Sequence, residues 1–429
     1  MHANLLRLSV VVAMMATAPS TFANVITDWD QKALAVVAPM ASLGGTSPYM
    51  AQRMMGMVHA AMFDAVNSID RQYRPYVAQL PADPGTSKEA AAAAAAAAVL
   101  TTIDAKTADE MKVALATYLA SIPDGLAKWS GVRLGEAAAA KIVAARANDG
   151  CDAPDVYRPR TTPGVYVPTP ITISSMWPDM KPFALTRGSQ FRPGPPISLD
   201  SKEWATDYNE LREYGGQTSA KRTPEQTEIA RFWLVGPPVA YHPFVRSLVT
   251  AKQMSVVDGA RFMALVAIGL NDAIIAVLDA KYHYNFWRPI TAIRNGDLDG
   301  NPATDREATW QPISNTPMHP EYPCSHCIQS GTVAAVVEAV LGSMDIPETA
   351  MTSPTAPGVT RRWTNMTAYT EEVANARIWA GFHYRFSTRV GTEMGLEIGE
   401  HVVRNVMQPA LTAAPQQQLL PQGMIPAAR

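Results

Sequence analysis

The chain has 429 residues, and its 36 Lys and Arg residues nearly balance its 38 Asp and Glu residues, giving a formal net charge of −2. This balance argues against nucleic acid as a partner, because the chain has no global basic field to attract phosphates. Hydrophobic residues make up 47% of the chain and charged residues only 17%, which excludes intrinsic disorder and allows one large core or two packed ones.

The first segment, residues 1–23, is typical of a secretory signal peptide. Arg7 supplies one cation, an apolar run follows over residues 8–15, and the segment ends in small residues at Ala23. The sequence therefore predicts cleavage near Ala23 and export to a bacterial periplasm or the cell exterior. No later apolar run looks long enough for a membrane span, since the alanines of residues 90–98 are only weakly hydrophobic.

Apolar stripes at helical spacing, together with helix-start signals, predict an all-α protein of two stacked helical bundles. The N-terminal bundle, residues 24–150, is expected to contain helices near 27–38, 47–69, 87–120 and 130–147. Prolines then exclude any long helix from residues 151–200, which predicts an extended strap between the bundles. The C-terminal bundle, residues 201–408, is expected to contain helices near 201–215, 224–234, 243–254, 257–287, 323–342, 369–385 and 389–407, followed by a loose tail, 409–429. No run alternates β-branched and polar residues convincingly, so we expect no sheet-based core.

A first chemical motif lies at the end of the predicted helix 257–287. Lys281 and Arg288 are seven residues apart, so in a helix they would lie about 20° from eclipsed on one face. Pro289 disfavours further helix, which leaves the Arg288 guanidinium at a helix end, free to turn inward. Alone, such a pair is typical of two solvated surface cations.

A second motif, His319 to Cys327, directly precedes the predicted helix 323–342. A helix N-terminus offers unpaired backbone N–H groups and a partial positive charge. Cys324, Ser325 and His326 would therefore surround an anion held there, with His326 as a proton donor or acceptor.

A third motif contains Arg377 and His383, which are six residues apart and would lie about 120° from each other in an unbroken helix. Their convergence therefore requires a distortion, and Gly381 is the candidate position. Arg385 is expected to remain at or near the surface. Together the three motifs supply three cations, a helix N-terminus and two histidines, which are the parts of a site for a tetrahedral oxyanion.

The three motifs together resemble the signature of the superfamily that joins vanadium-dependent haloperoxidases, type 2 phosphatidic acid phosphatases and bacterial class A acid phosphatases. That signature is Lys, six residues, Arg-Pro; then Pro-Ser-Gly-His; then Ser-Arg, five residues, His, three residues, Asp. The matching residues, in the same order and spacing, are Lys281, Arg288, Pro289, Pro323, His326, Arg377 and His383. The departures are Cys324 for Ser, Ser325 for Gly, Ala376 for Ser and Ser387 for Asp. A secreted, helical chain of this size looks more like the haloperoxidase branch.

The resemblance implies a vanadate cofactor with His383 Nε2 as the axial vanadium ligand. The residues implied to hold vanadate are Lys281, Arg288, Arg377, the Ser325 backbone N–H, and the side chain of Cys324 or Ser325. In a haloperoxidase, halide attacks a polarised peroxide and is oxidised to a hypohalous-acid equivalent, which halogenates an organic acceptor; Lys281 would polarise the peroxide and His326 would be the acid–base group.

A secreted acid phosphatase is the second implied function. There the site would bind a phosphate ester, His383 would attack phosphorus and His326 would protonate the leaving group. Ser387, where a phosphatase has Asp, weighs against this function, because a nucleophilic His usually needs an orienting acceptor. A catalytically silent binding protein is the third class, since Cys324 and Ala376 are substitutions within the signature.

The second motif also allows two other interpretations. Its CxxC spacing permits a local disulfide in an oxidising compartment, which would remove Cys324 as an anion donor and leave Cys151 unpaired. Zinc bound by His319, Cys324, His326 and Cys327 is less favoured, because four ligands within nine residues need a tight knuckle. For His59, a satisfied core histidine is the favoured interpretation.

Overall fold

The computed structural model describes residues 24–41, 48–168 and 172–410, so the predicted signal peptide and nearly all of the predicted tail lie outside the described residues. Within these ranges the regular secondary structure is helical apart from one two-stranded sheet, which confirms the predicted all-α class. The elements in chain order are α1 Val25–Val37, α2 Pro48–Asp70, α3 Lys88–Leu100, α4 Ala105–Leu119, α5 Leu126–Ala145, α6 Lys202–Gly215, α7 Pro224–Phe232, α8 His242–Ala251, α9 Val256–Tyr284, α10 Pro289–Arg294, α11 Ser325–Leu341, β1 Asp345–Ser353, β2 Ala356–Asn365, α12 Met366–Trp379 and α13 Arg385–Asn405.

Local sequence signals explain most of these boundaries. α7 begins with a complete capping box between Thr223 and Gln226. The long helix expected over 87–120 is instead two helices, because Asp104 caps α4 by accepting from the Thr107 backbone N–H. A short polar turn thus divides the predicted helix without changing the fold class.

The centre of the fold is α9, which packs against α2 on one side and against α11 and α13 on another. Its length and apolar composition are sufficient to cross a membrane, contrary to the expectation from the sequence that no later run is long enough. However, 94% of its most apolar window is buried within the protein, as in a core helix. Burial on all sides also explains why α9 has no polar stripe.

The antiparallel pair β1 and β2 was not expected from the sequence. Its register places Thr349 opposite Trp363. Trp363 is buried and contacts Phe244 of α8 and Tyr369 of α12. Pro354 lies in the connection between the two strands, and Pro357 is the second residue of β2. The two strands pack onto the helical core, consistent with the expectation that no sheet forms the core itself.

The proline-rich stretch crosses the surface without an α-helix in its described part and is fastened to α9. Asp272 of α9 accepts hydrogen bonds from the backbone N–H groups of Phe183, Ala184 and Leu185, at 2.6–2.8 Å. Farther along α9, the Tyr166 backbone N–H donates to the carbonyl of Asn285. The strap therefore lies against the helix end that carries the first motif.

A buried ionic network joins α1, α2 and α8. Asp30 Oδ1 accepts from His59 Nε2 at 2.9 Å and from His242 Nδ1 at 2.8 Å, while Arg246 donates to Asp30 Oδ2 at 2.7 Å. The three Asp and His atoms are close enough together for a metal ion. The guanidinium on the same carboxylate already balances its charge, so we interpret the cluster as a tie between helices. His59 is thus a core histidine held through its Nε2, as expected, but its buried Nδ1 has no partner among the described residues.

Candidate oxyanion site

The end of α9 turns both cations of the first motif into the protein. Asn285 adopts the left-handed conformation and ends the helix, and Arg288 then serves as the N-cap of α10, with Pro289 at its first position. Lys281 is 0% exposed and Arg288 is 1% exposed. The interpretation of this pair as solvated surface cations is therefore wrong.

Lys281 organises the loop that precedes α11. Its ammonium group donates to the backbone carbonyls of Pro320, Glu321 and Pro323. Because an ammonium has three donors, these bonds satisfy all of them. Burial, and then Arg288, lower the pKa of Lys281 well below its ordinary value, while Glu321 acts in the opposite direction. The structure thus places Lys281 beneath the site, where it holds the loop and contributes charge.

Arg288, at the start of α10, contacts both the loop before α11 and the segment after α12. Its Nε donates to the His319 carbonyl at 2.8 Å, and its NH2 lies 3.0 Å from His319 Nδ1. Its NH1 donates to the Phe382 carbonyl at 3.1 Å and lies 3.5 Å from His383 Nε2. The guanidinium therefore brings the loop before α11 and the segment after α12 together. His319, which we considered only as a zinc ligand, lines the site beside Arg288.

Gly381 provides the distortion that the third motif requires. α12 ends at Trp379 and α13 begins at Arg385, with Gly381 between them at φ +78°. A Cβ at Gly381 would lie 2.5 Å from the carbonyl oxygen of Gly215, so only glycine fits here. The predicted continuous helix 369–385 is wrong at this point, and the break turns His383 toward Arg288.

Glu321 orients His383 and is the site residue that the sequence analysis missed. Its Oε1 lies 2.8 Å from His383 Nδ1 and also accepts from the Tyr384 backbone N–H at 3.2 Å. With Nδ1–H donated to Glu321, His383 presents the lone pair of Nε2 to the site. Glu321 lies inside the second motif, five residues before His326. Its position inside this motif was the signal by which the sequence could have identified Glu321 as a site residue.

The protonation of this pair follows from its surroundings. Burial raises the pKa of Glu321 to about 7, although Lys281 and Arg288 act to lower it. Burial, followed by Arg288, Lys281 and Arg377, holds the pKa of His383 well below its ordinary value. His383 is therefore neutral at neutral pH, and its Nε2 is available as a ligand or a nucleophile.

Cys324 and Cys327 form a disulfide at the start of α11, with their Cα atoms 5.3 Å apart. Their sulfurs are bonded to each other, so the zinc alternative is wrong and Cys324 has no thiol to donate to an anion. Cys324 is the N-cap of the helix, and its sulfur accepts from the Cys327 backbone N–H. Of the two side chains considered as anion donors, only that of Ser325 retains a proton to donate.

His326 and Arg377 form the side of the site that faces the α7–α8 connection. His326 Nε2 donates to the Val235 carbonyl at 2.9 Å, which leaves Nδ1 as an acceptor. Burial and then Arg377 hold the pKa of His326 well below its ordinary value. Arg377 NH1 donates to the Trp233 carbonyl at 2.6 Å, while its buried Nε lacks a partner among the described residues.

Comparison with known proteins supports the resemblance that the three motifs indicate. Residues 261–410 match the model of the second helical-bundle domain of vanadium chloroperoxidase. A vanadium chloroperoxidase from Curvularia inaequalis is 29% identical over 185 residues, a match that covers 35% of this chain and 30% of that protein. A bacterial vanadium-dependent iodoperoxidase structure is 21% identical with a TM-score of 0.75, covering 90% of this chain and 98% of that one. An apo-type bacterial vanadium-dependent chloroperoxidase structure is 17% identical with a TM-score of 0.68, covering 82% and 92%.

The chain has the vanadium haloperoxidase fold. The resemblance inferred from the three motifs is thereby confirmed, and the helical-bundle match contains all three. The curated chloroperoxidase is matched over less than a third of its length, so activity and substrates are matters for proposal.

The relatives with this fold are named as vanadium enzymes, and the residues present here fit an oxyanion such as vanadate. Lys281, Arg288 and Arg377 are three buried basic side chains, and the one carboxylate that acts electrostatically on Lys281 and Arg288 is Glu321. Burial, and to a smaller extent the neighbouring cation Arg288, lower the pKa of Arg377 to about 9, and no carboxylate is among the groups that act to raise it, so the cluster has an excess of positive charge. Together with the unpartnered Arg377 Nε, this excess is best balanced by a bound anion.

Proposed function

We propose that the chain is a vanadate-dependent haloperoxidase-like enzyme that oxidises halide with hydrogen peroxide. The observation that carries the proposal is the buried cluster of Lys281, Arg288 and Arg377 around the neutral, correctly oriented His383. A fixed cationic pocket with one imidazole lone pair matches the charge and ligand needs of a tetrahedral oxyanion of vanadium.

Vanadate, when bound, supplies a Lewis-acidic centre that activates hydrogen peroxide toward halide. Arg288 and Arg377 would hold the oxyanion, and His383 Nε2 would be its protein ligand, with Glu321 fixing the tautomer. Lys281 contributes charge to the polarisation of peroxide, from a position fixed by three loop carbonyls. His326 Nδ1 accepts a proton from peroxide, because its Nε2 proton is engaged by Val235.

An acid phosphatase remains the second candidate, and Glu321 is the specific observation that favours it. Ser387 does not replace the phosphatase Asp, yet Glu321 provides the acceptor that an attacking His383 needs. The state of His326 favours the haloperoxidase. Its lowered pKa makes it a base in the free protein, whereas a phosphatase needs a protonated group there to release the alcohol.

Export of the mature chain is part of the proposal. The predicted signal peptide, residues 1–23, and the Cys324–Cys327 disulfide both suit an oxidising compartment. The proposed partners are small molecules: peroxide, halide and an organic acceptor.

One preparation assayed in two ways tests the proposal. Halogenation of a dye is measured with vanadate, peroxide and chloride, bromide or iodide in turn, and hydrolysis of an aryl phosphate is measured without vanadate. We expect halogenation that His383→Ala abolishes and that His283→Ala, an exposed histidine at the end of α9, leaves intact. Phosphate hydrolysis inhibited by vanadate, without halogenation, would replace the proposal with the phosphatase.

A further inference from the structure

The connection between α7 and α8 supplies two backbone carbonyls to residues of the oxyanion site. Arg377 NH1 donates to the carbonyl of Trp233 at 2.6 Å, and His326 Nε2 donates to the carbonyl of Val235 at 2.9 Å. Among the described residues, the Trp233 carbonyl is the hydrogen-bond acceptor of the Arg377 guanidinium. The direction in which Arg377 presents its remaining N–H groups therefore depends on where Trp233 lies.

The strands β1 and β2 form a hairpin that holds the last residue of α7. Ser353 Oγ donates to the Phe232 carbonyl at 2.7 Å, and Thr355 Oγ1 donates to the same carbonyl at 3.2 Å. A carbonyl in the last turn of a helix has no partner within the helix, and these two hydroxyls supply one. On β2, the ring of Trp363 lies 5.8 Å from that of Trp233. The hairpin thus contacts both residues at the end of α7.

Glu372 of α12 holds the side chain of Trp233. Trp233 Nε1 donates to Glu372 Oε1 at 3.1 Å, and Arg361 of β2 donates to Glu372 Oε2 at 2.7 Å. Trp233 is 0% exposed, so its indole N–H would be left buried without an acceptor if Glu372 were removed. Glu372 therefore ties the end of α7 and the hairpin to α12.

Glu372 and Arg377 bind opposite parts of the same residue. They are five positions apart on α12, so their side chains leave the helix about 140° from each other. Glu372 accepts from the indole of Trp233, while Arg377 donates to its backbone carbonyl. Close packing around the buried ring transmits a displacement of the indole to the backbone of the same residue.

We propose that Glu372 is a positioning residue of the oxyanion site, which holds Trp233 so that the Trp233 carbonyl aims Arg377 at the bound oxyanion. The β1–β2 hairpin shares this role, because Arg361 fixes Glu372 and Ser353 fixes the end of α7. The inference rests on the proposed function only in requiring that an oxyanion binds at this site.

Oxyanion affinity in two variants of one residue tests the inference. Orthovanadate and inorganic phosphate are titrated calorimetrically into the purified parent, Glu372→Ala and Glu372→Gln. We expect Glu372→Ala to weaken binding about three- to tenfold, because Arg377 loses part of a charge-assisted hydrogen bond. Glu372→Gln keeps an acceptor for the indole and should bind within about twofold of the parent. Loss of the negative charge alone would have the opposite sign, tightening anion binding in both variants.

Three further variants separate positioning from general loosening. Glu348→Ala, which removes an exposed ion pair with Arg362 on the same hairpin, is the matched control and should bind as the parent does. Glu372→Ala combined with Arg377→Ala should bind no more weakly than Arg377→Ala alone, because the positioned side chain is then gone. Ser353→Ala with Thr355→Val removes the other tie and should weaken binding about two- to fivefold.

The outcomes distinguish this inference from the proposed function. If the parent binds neither vanadate nor phosphate, the proposed function fails and the inference fails with it. If the parent binds and Glu372→Ala binds equally well, the inference is wrong and the function stands. Additive losses from Glu372→Ala and Arg377→Ala would also overturn it, because Glu372 would then act independently of Arg377. If Glu372→Ala fails to fold, parent-like affinity in the Ser353 and Thr355 variant overturns the inference instead.

Discussion

Glu321 Oε1 accepts a hydrogen bond from His383 Nδ1 at 2.8 Å, across 62 positions of sequence, with both side chains buried. Lys281 holds the backbone of Glu321 through its carbonyl, and Arg288 contacts His383 on its other nitrogen. The orientation of the proposed vanadium ligand is therefore coupled to the cations that hold the oxyanion. An outer carboxylate of this kind fixes both the ring and the tautomer of a ligating histidine.

Replacing Glu321 with Gln should weaken vanadate binding by about ten- to hundredfold, since the amide loses the charge and can present N–H instead of an acceptor to His383. Calorimetric titration with vanadate measures the loss. Glu393→Gln, an exposed site on α13, is the matched control and should bind as the parent does. Parent-like affinity in Glu321→Gln would show that His383 is oriented by packing alone.

The fold class and the seven matching motif residues could be predicted from sequence, because spacing and helix signals are local. Gly381 also revealed the break that brings His383 to Arg288. The contact between Trp233 and Glu372 could not be predicted, since the two residues lie 139 positions apart and only packing of α7 against α12 brings them together. Glu321 was overlooked for another reason: we expected the orienting acid at position 387, where Ser387 stands.

Asp30 should make stability fall in acid. Burial alone would raise the pKa of Asp30, but His242 and His59 hold this pKa well below its usual range. A carboxyl with a depressed folded-state pKa contributes stability above its unfolded pKa of about 3.9, and this contribution is lost as pH falls below that value. Asp30→Asn should lower the free energy of unfolding by about 3–5 kcal/mol at neutral pH, because it breaks a buried pair.

Urea unfolding from pH 3 to pH 7 checks the Asp30 prediction. We expect the difference between the parent and Asp30→Asn to shrink as pH falls below about 4. Asp28→Asn, two residues earlier on α1 and only partly buried, should cost much less. A constant difference across this pH range would contradict the ionised state of Asp30.

Removal of the Cys324–Cys327 disulfide should cost little stability. The bridge closes a loop of only four residues, for which the entropy of the unfolded chain predicts a contribution of about 2 kcal/mol. The variant Cys324→Ser with Cys327→Ala keeps a capping side chain at the start of α11. Chemical denaturation should therefore show a free energy of unfolding about 2 kcal/mol lower, and a loss of more than about 4 kcal/mol would indicate damage to α11 itself.

Gly381→Ala should be more damaging than an alanine at another left-handed glycine. Gly381 has φ +78° and an added Cβ would lie 2.5 Å from the Gly215 carbonyl oxygen, whereas Gly358 has φ +83° and an added Cβ would meet no atom within 4 Å. Gly358→Ala should therefore cost about 1 kcal/mol of unfolding free energy, for the backbone conformation alone. Gly381→Ala should cost about 3–4 kcal/mol, because overpacking is added.

The Gly381 variant should also lose vanadate affinity, while Gly358→Ala should keep it. The clash pushes the α12–α13 connection away from Gly215, and that connection carries both the Phe382 carbonyl bound by Arg288 and His383 itself. Denaturation and vanadate titration of the two variants therefore separate backbone strain from displacement of the site. Equal losses of stability in both, with vanadate binding intact, would mean that the close approach to Gly215 does not position His383.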